Sequence, residues 1–111
     1  MIKPIVQVSS CAKYMFLQDN IEFGSFEIIS KDDHKEIWCF GIKTSHQNQG
    51  LGQQMLRECL EMLSGNIVEL GCVKSNDVAL YIYKKFGFKI VKDCGDYYWL
   101  RKEVKPNGSN N

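Results

Sequence analysis

Short apolar and aromatic runs, separated by polar turns, fill the first part of the chain. Their composition is typical of β-strands, and it predicts four of them, at residues 2–8, 12–17, 21–30 and 36–43. The last two flank the charged segment KDDHK, which is typical of a hairpin turn. A closing hairpin is predicted near the other end of the chain, with strands at 88–92 and 96–104.

The period of the pattern becomes helical after residue 50. One face of the predicted helix carries Leu51, Met55, Leu56, Cys59, Leu60 and Leu63. Gly65 is placed to end this helix, and its polar opposite side predicts that it lies against a sheet. Residues 67–73 are almost continuously apolar, which predicts a central strand covered on both faces.

A second helix is predicted from Asn76 to about residue 86, with Ser75 or Asn76 as its cap and Gly87 just past its end. If Gly87 takes the left-handed conformation, Phe88 packs back near Tyr83.

The order of elements predicts the architecture. A strand, helix, strand crossover from 36–43 to 67–73 requires one parallel pair, where a ligand crevice is expected to open. We therefore expect an α/β (α+β) fold with two main helices and a mixed, mostly antiparallel sheet of six to seven strands. One domain is predicted over residues 1–104, followed by a polar tail at 105–111.

Charge and composition exclude several classes of protein. The chain has 111 residues, with 14 basic and 13 acidic side chains and a net charge of +1. No large field attracts nucleic acid or anionic lipid, so neither is expected as a partner. The N-terminal segment lacks a secretion-signal pattern, and no run is long and apolar enough to span a membrane. A cytoplasmic location is predicted.

The cysteines and histidines do not indicate a metal site. The five cysteines include no C-x-x-C pair, and three lie in apolar stretches, which is typical of reduced, buried thiols. Their spacing to histidines does not fit a zinc site, so no metal is expected. His34 and His46 lie in polar segments and are predicted to be surface residues.

Candidate chemistry begins at the glycine-containing segment 47–52, between a predicted strand and the first helix. The first turn of a helix has unpaired N–H groups and a partial positive charge, so a pyrophosphate is a natural ligand there. Taken alone, the segment is equally well explained as a strand-to-helix turn. It lacks the Gly-Lys-Ser/Thr ending of a P-loop and the third glycine of a dinucleotide fingerprint.

A second motif, about thirty residues further on, points to a family. Residues 76–88 resemble the N-x-x-A-x-x-x-Y-x-x-x-G-F element of GNAT acetyltransferases, and residues 47–52 resemble their Q/R-x-x-G-x-G/A acyl-CoA loop. The resemblance covers residues 36–88. It implies the GNAT fold, with a splayed parallel strand pair, and acetyl-CoA as the cosubstrate.

The resemblance also implies a role for individual residues. Loop amides would hold the CoA pyrophosphate, the strand edge near Ile42 would pair with the pantetheine, and Asn76 would hydrogen-bond the CoA arm. Ala79 is the small residue of the motif, and close packing of the helix on the sheet explains it equally. The full predicted CoA site comprises Ile42, Gln47, Asn48, Gln49, Gly50, Leu51, Gly52, Gln53, Asn76, Ala79 and Tyr83.

Two residues are candidate catalytic groups by the same resemblance. Tyr83 occupies the position of the tyrosine that protonates the departing CoA thiolate, although it could instead be a core tyrosine. Tyr81 lies about 200° away round the helix at ~3.6 residues per turn, so both cannot face the thiol. Glu36 matches the glutamate base of the histone-acetyltransferase branch, and a partly buried carboxylate with a raised pKa would suit that role. The alternative for Glu36 is a solvated strand residue, with Glu69 and Glu22 as other candidate bases.

The chain departs from most GNAT domains before residue 21. Those domains place two helices between their first two strands, but here the segment is too short for two helices and two strands. The N-terminal helices are therefore reduced or absent, and the acceptor side is expected to be open. An open groove favours a protein or peptide amine over a small molecule, unless a homodimer partner supplies the missing wall.

The sequence thus predicts an N-acetyltransferase, monomeric or homodimeric, that moves an acetyl group from acetyl-CoA to a primary amine by direct attack in a ternary complex. The transition state would be stabilised by positioning and by a strand amide that binds the oxyanion. The alternatives are a non-catalytic acyl-CoA-binding or regulatory module and a structural interaction domain.

Overall fold

A computed structural model describes residues 1–46 and 50–106. Its elements, in chain order, are β1 Ile2–Val8, β2 Cys11–Gln18, β3 Ile21–Ser30, β4 Lys35–Ile42, a 3₁₀ turn Thr44–His46, α1 Leu51–Met62, β5 Ile67–Val73, α2 Asp77–Lys85, β6 Lys89–Asp93 and β7 Tyr97–Glu103. The strands and helices thus lie where the hydrophobic pattern predicts them. The predicted domain boundary and tail stay predictions, since residues 107–111 are outside the described part of the chain.

The strands form one sheet in the order β1-β2-β3-β4-β5-β7-β6. Every pair is antiparallel except β4 and β5, so the predicted parallel pair and the mixed fold are confirmed. In the described residues β4 and β5 share three partner pairs, from Lys35↔Val68 to Ile37↔Leu70. Farther along β4, Cys39 has φ 53 and the register with β3 shifts, which marks a bulge. A bulge bends its strand, so the bend accounts for the separation of β4 from β5 beyond Ile37.

The core lies on one face of the sheet. Ile28, Ile37, Leu70 and Leu100 are direct partners across four adjacent strands, and all four are buried. The apolar side of α1 packs on this row, as predicted, and residues of α2 pack against the same cluster. Both helices therefore cover the same face. Neither is long and apolar enough to cross a membrane.

The expectation that β5 is covered on both faces is wrong. Val68, Leu70 and Cys72 are buried under the helices, but Glu69 is half-buried and Gly71 is exposed on the opposite face. Apolar residues at alternate positions hid this asymmetry, because Ile67 and Val73 are apolar without being in the core. The opposite face, which carries no helix in the described part of the chain, is called the helix-free face below.

Two side-chain predictions also need correction. Cys59 and Cys72 are buried, but Cys39 is exposed at the bulge, although it lies in an apolar stretch. His34 is not a simple surface residue, since its side chain is 17% exposed and contacts two carboxylates. The side chain of His46 lies outside the described residues.

Candidate active site

A cleft of about 540 Å³ opens between the second half of β4 and the two helices. Its volume is in the range of small-molecule and cofactor sites. Seven residues of the predicted CoA site line the cleft: Ile42, Gly50, Gly52, Gln53, Asn76, Ala79 and Tyr83. The rest of the lining consists of Phe40, Gly41, Leu56, Val78 and Ile82. Residues 47–49, also predicted for this site, lie outside the described part of the chain.

The start of α1 is suited to an anion. Gly50 is the N-cap residue with φ 75, a conformation that favours glycine. Among the described residues, no side chain caps this end and its first turn holds no acidic group. The first-turn amides therefore remain available to a ligand. Leu51 contributes its backbone here, because its side chain is buried in the core.

Asn76 caps α2 from the other side of the cleft. Its Oδ1 accepts a hydrogen bond from the backbone N–H of Ala79, at 3.1 Å. Asn76 is therefore the cap, in agreement with one of the two predicted candidates. An amide side chain that accepts through Oδ1 still has its Nδ2 group to donate, and the side chain lines the cleft.

Replacing Asn76 with aspartate separates the capping role from a binding role. Aspartate caps helices as well as asparagine does, so the free energy of unfolding should change little. It has no N–H to donate and adds a negative charge, so the Kd for CoA should rise about tenfold or more. Isothermal titration with CoA measures this, with Asn20→Asp in the β2–β3 turn as a control. An unchanged Kd in Asn76→Asp would exclude a donor role for this amide.

Tyr83 is held in the cleft by the end of α2. The N–H of Phe88 donates to the carbonyl of Tyr83 at 3.0 Å, and that of Gly87, with φ 97, donates to Lys84. This pairing is a Schellman motif, and it places Phe88 near Tyr83, as the sequence predicts for a left-handed Gly87. The rings of Phe88 and Tyr83 meet edge to face with centroids 5.8 Å apart. The motif thus fixes both the backbone and the ring of Tyr83, whereas Tyr81 is 68% exposed.

Burial raises the pKa of Tyr83 to about 12, with smaller contributions from Cys72 and Cys59. The phenol therefore keeps its proton throughout the physiological range. A protonated hydroxyl that lines a cleft can donate a hydrogen bond or a proton to an anion that forms there.

Glu36 lies on the helix-free face, on the other side of the sheet from the cleft. The register aligns Ile29, Glu36, Glu69 and Arg101 in one row across β3, β4, β5 and β7. Glu36 therefore stands beside the point where β4 and β5 begin to separate. The structure brings Tyr83 to one side of this opening and Glu36 to the other.

The carboxylate of Glu36 is 13% exposed and has two partners. Its Oε1 accepts from Trp38 Nε1 at 2.8 Å, and its Oε2 lies 2.8 Å from His34 Nε2. Burial acts to raise its pKa, but the hydrogen bonds from His34 and Trp38 and the charge of Lys31 outweigh it, so the pKa is lowered. The raised pKa that would suit a base is therefore not observed.

His34 is the site residue that sequence reasoning missed. Its Nδ1 lies 2.7 Å from Asp33 Oδ1, while its Nε2 faces Glu36 and lies 3.7 Å from Glu69. The hydrogen bonds with Asp33 and Glu36 raise its pKa, against the opposing effect of burial. The D-H-x-E spacing could have indicated the contact of His34 with Glu36, because residues two apart on a strand share a face.

The alternative bases have different surroundings. Glu69, partner of Glu36 across the parallel pair, accepts a hydrogen bond from Trp99 Nε1 and lies 3.9 Å from Arg101 Nε. Glu22 lies 3.9 Å from Lys43, far along β3. Glu69 therefore belongs to the same cluster as Glu36, and Glu22 does not.

The sequence profile of the acetyltransferase (GNAT) family matches residues 9–88 of the chain. A curated relative, the N-alpha-acetyltransferase RimI of Mycobacterium tuberculosis, is 35% identical over 63 residues, which are 57% of this chain and 40% of the relative. The chain thus spans less than half the length of that relative.

Solved structures share the fold at low identity. A GNAT family acetyltransferase from Elizabethkingia anophelis with acetyl-CoA bound has a TM-score of 0.78 and 19% identity, covering 94% of this chain and 97% of that one. The ribosomal-protein-S18-alanine N-acetyltransferase from Escherichia coli has a TM-score of 0.77 and 16% identity, covering 95% and 76%. The profile match over most of the chain, on a sheet with an open parallel pair beside a cleft, shows that this protein belongs to the acetyltransferase (GNAT) family.

Proposed function

We propose that this protein transfers an acetyl group from acetyl-CoA to a primary amine by direct attack in a ternary complex. The observation that carries the proposal is the opening between β4 and β5, with a cleft on its helix side and a carboxylate on its helix-free side. Donor and acceptor then approach from opposite faces and meet at the opening. The acetyl-CoA bound to the structural relative from Elizabethkingia anophelis supports the choice of donor.

The donor occupies the cleft in this proposal. The first-turn amides of α1, from Leu51 to Gln53, hold the pyrophosphate with the loop before them, residues 47–50. Asn76 donates to the CoA arm, Ala79 leaves room for it, and the pantetheine follows the edge of β4 near Ile42. The thioester then lies beside Tyr83, which donates to the thiolate as CoA leaves. No metal takes part.

The acceptor must lose a proton before it can attack the thioester. Glu36 accepts it, acting through ordered water because about 10 Å of strand, at ~3.3 Å per residue, separates Glu36 from Cys39 at the bend. Because its pKa is lowered, Glu36 is ionised at neutral pH and passes on readily a proton that it receives. An amide of β4 at the opening stabilises the tetrahedral oxyanion.

The helix-free face favours a protein or peptide amine. The connection between β1 and β2 is a turn of two residues, 9 and 10. It therefore contains no helix that could cover the helix-free face. An uncovered face admits a chain end or a long side chain more readily than it encloses a small metabolite. The names of two relatives, an N-alpha-acetyltransferase and a ribosomal-protein-S18-alanine N-acetyltransferase, support the same choice. A cytoplasmic location is part of the proposal.

Two measurements test the proposal in order. Isothermal titration with acetyl-CoA is expected to show one site per chain. CoA release is then followed with N-terminal peptides, lysine peptides and small polyamines, and mass spectrometry identifies the acetylated atom. Peptide amines are expected to react fastest. Binding without turnover for any amine would support a regulatory module instead, and no binding would overturn the donor site.

A further inference from the structure

We propose that His34 is a proton-transfer residue that takes the acceptor's proton from Glu36 and delivers it to Asp33 and solvent. The inference rests on the proposed function, because it requires Glu36 to receive that proton. It assigns a role to the turn between β3 and β4, which the sequence indicated to be an ordinary hairpin connection.

The three side chains form a continuous path from the sheet to water. His34 connects them through its two ring nitrogens, at 2.8 Å from Glu36 and 2.7 Å from Asp33. Exposure rises along the path, from 13% at Glu36 and 17% at His34 to 88% at Asp33. A proton that enters at Glu36 therefore has a hydrogen-bonded route to a solvated carboxylate.

The other contacts of Glu36 cannot carry the proton. An indole N–H is a donor without an acceptor site, so Trp38 holds Glu36 in place but takes nothing from it. The same holds for Trp99 and Arg101 at the neighbouring Glu69. Of the groups that the structure places on the Glu36 carboxylate, the His34 ring is the one that can accept.

The proton balance of one turnover is simple. The ring starts neutral, and its Nε2–H donates to the ionised Glu36 carboxylate. The ammonium proton moves to Glu36, and exchange of the ring proton with solvent gives the tautomer with its proton on Nδ1, directed at Asp33, and a lone pair on Nε2. The Glu36 proton then moves to Nε2, and the Nδ1 proton leaves to Asp33 and then to water. One proton enters the path and one leaves it, and the starting tautomer is restored.

The path has a definite pH dependence. His34 is faced by Asp33, Glu36 and Glu69, while Arg101 and Lys31 lie near the two glutamates. The carboxylates stabilise the charged ring and raise the pKa of His34 above its usual 6.5. The relay needs the neutral ring, so kcat should rise as the pH increases through the raised pKa of His34 and should be low at pH values below that pKa.

Removing one carboxylate tests the relay without removing the ring. Asp33→Asn deletes a group that raises the pKa of His34, so the acid limb of the kcat profile should move to lower pH. Asp32→Asn removes the same charge from the adjacent position in the turn and should leave the limb in place. A limb that stays fixed in Asp33→Asn, or moves equally in both variants, would overturn the proposal.

Removing the ring is the second test. His34→Gln should lower kcat about tenfold to a hundredfold, within or somewhat below the usual range for acid–base groups, with the KM for acetyl-CoA unchanged and partial recovery in imidazole buffer. A wild-type rate, or a loss that imidazole does not restore, would contradict the relay. A wild-type protein without turnover would refute the proposed function itself, whereas full activity in His34→Gln beside an inactive Glu36→Gln would refute the relay alone.

Discussion

Replacing Tyr83 with phenylalanine is expected to lower kcat about a hundredfold or more, within the range for loss of a general acid. The Kd for acetyl-CoA should change little, because phenylalanine keeps the edge-to-face contact with Phe88 and the backbone bonds that end α2. The lost atom is the hydroxyl, whose pKa of about 12 keeps it protonated at every practical pH. Stopped-flow and steady-state assays of CoA release measure the loss.

Tyr81 provides a matched control on the same helix. It is 68% exposed and faces away from the cleft, so Tyr81→Phe should retain the wild-type rate. Because the Tyr83 phenol does not ionise below about pH 10, the wild-type profile should show no basic fall in rate from this group. Equal rates for the two variants would remove Tyr83 from the mechanism, and weaker acetyl-CoA binding in Tyr83→Phe would assign it to the donor site.

Replacing Glu36 with glutamine should lower kcat/KM for the amine about a hundredfold at neutral pH, since glutamine keeps the shape but accepts no proton. The defect should shrink as the pH approaches the pKa of the amine, about 8 for an α-amino group or about 10.4 for a lysine. At that pH the acceptor loses its proton without help. Rate profiles with an N-terminal peptide and a lysine peptide therefore recover at different pH values.

Glu22→Gln is the control for this prediction. Glu22 is seven residues from Ile29, the partner of Glu36 on β3, which is about 23 Å at ~3.3 Å per residue. Glu22→Gln should therefore leave kcat/KM for the amine unchanged. If Glu36→Gln is active at neutral pH and Glu69→Gln is not, the base is Glu69, the alternative that shares the cluster.

Local sequence signals predicted the elements well because their causes are local. The apolar spacing of α1, the Asn76 cap and Gly87 each act within one or two turns, so the helix limits were readable. The one parallel pair followed from the order of elements alone. These features, with the two motifs, were enough to predict the family.

Contacts that depend on register could not be read in the same way. Glu36 meets Glu69 only because the crossover through α1 aligns β4 with β5, and nothing in either strand specifies that alignment. The polar turn around His34 predicted a surface residue. In the structure, however, its ring contacts the carboxylate of Glu36, at the start of the following strand. The sequence did not predict that one face of β5 is uncovered, because the face on which a helix packs depends on the arrangement of the whole fold.

The short β4–β5 ladder has a consequence for the cohesion of the domain. It divides the sheet into two antiparallel halves, β1 to β4 and β5 to β7, joined along a seam of three partner pairs. Each half is an antiparallel sheet with its own long ladders, whereas the seam depends on three partner pairs, on the packing of Ile37 beside Leu70 and on the α1 crossover. A molecule that binds across the seam fastens the halves to each other. The free energy of unfolding therefore rises when such a molecule is bound and falls when its concentration is low.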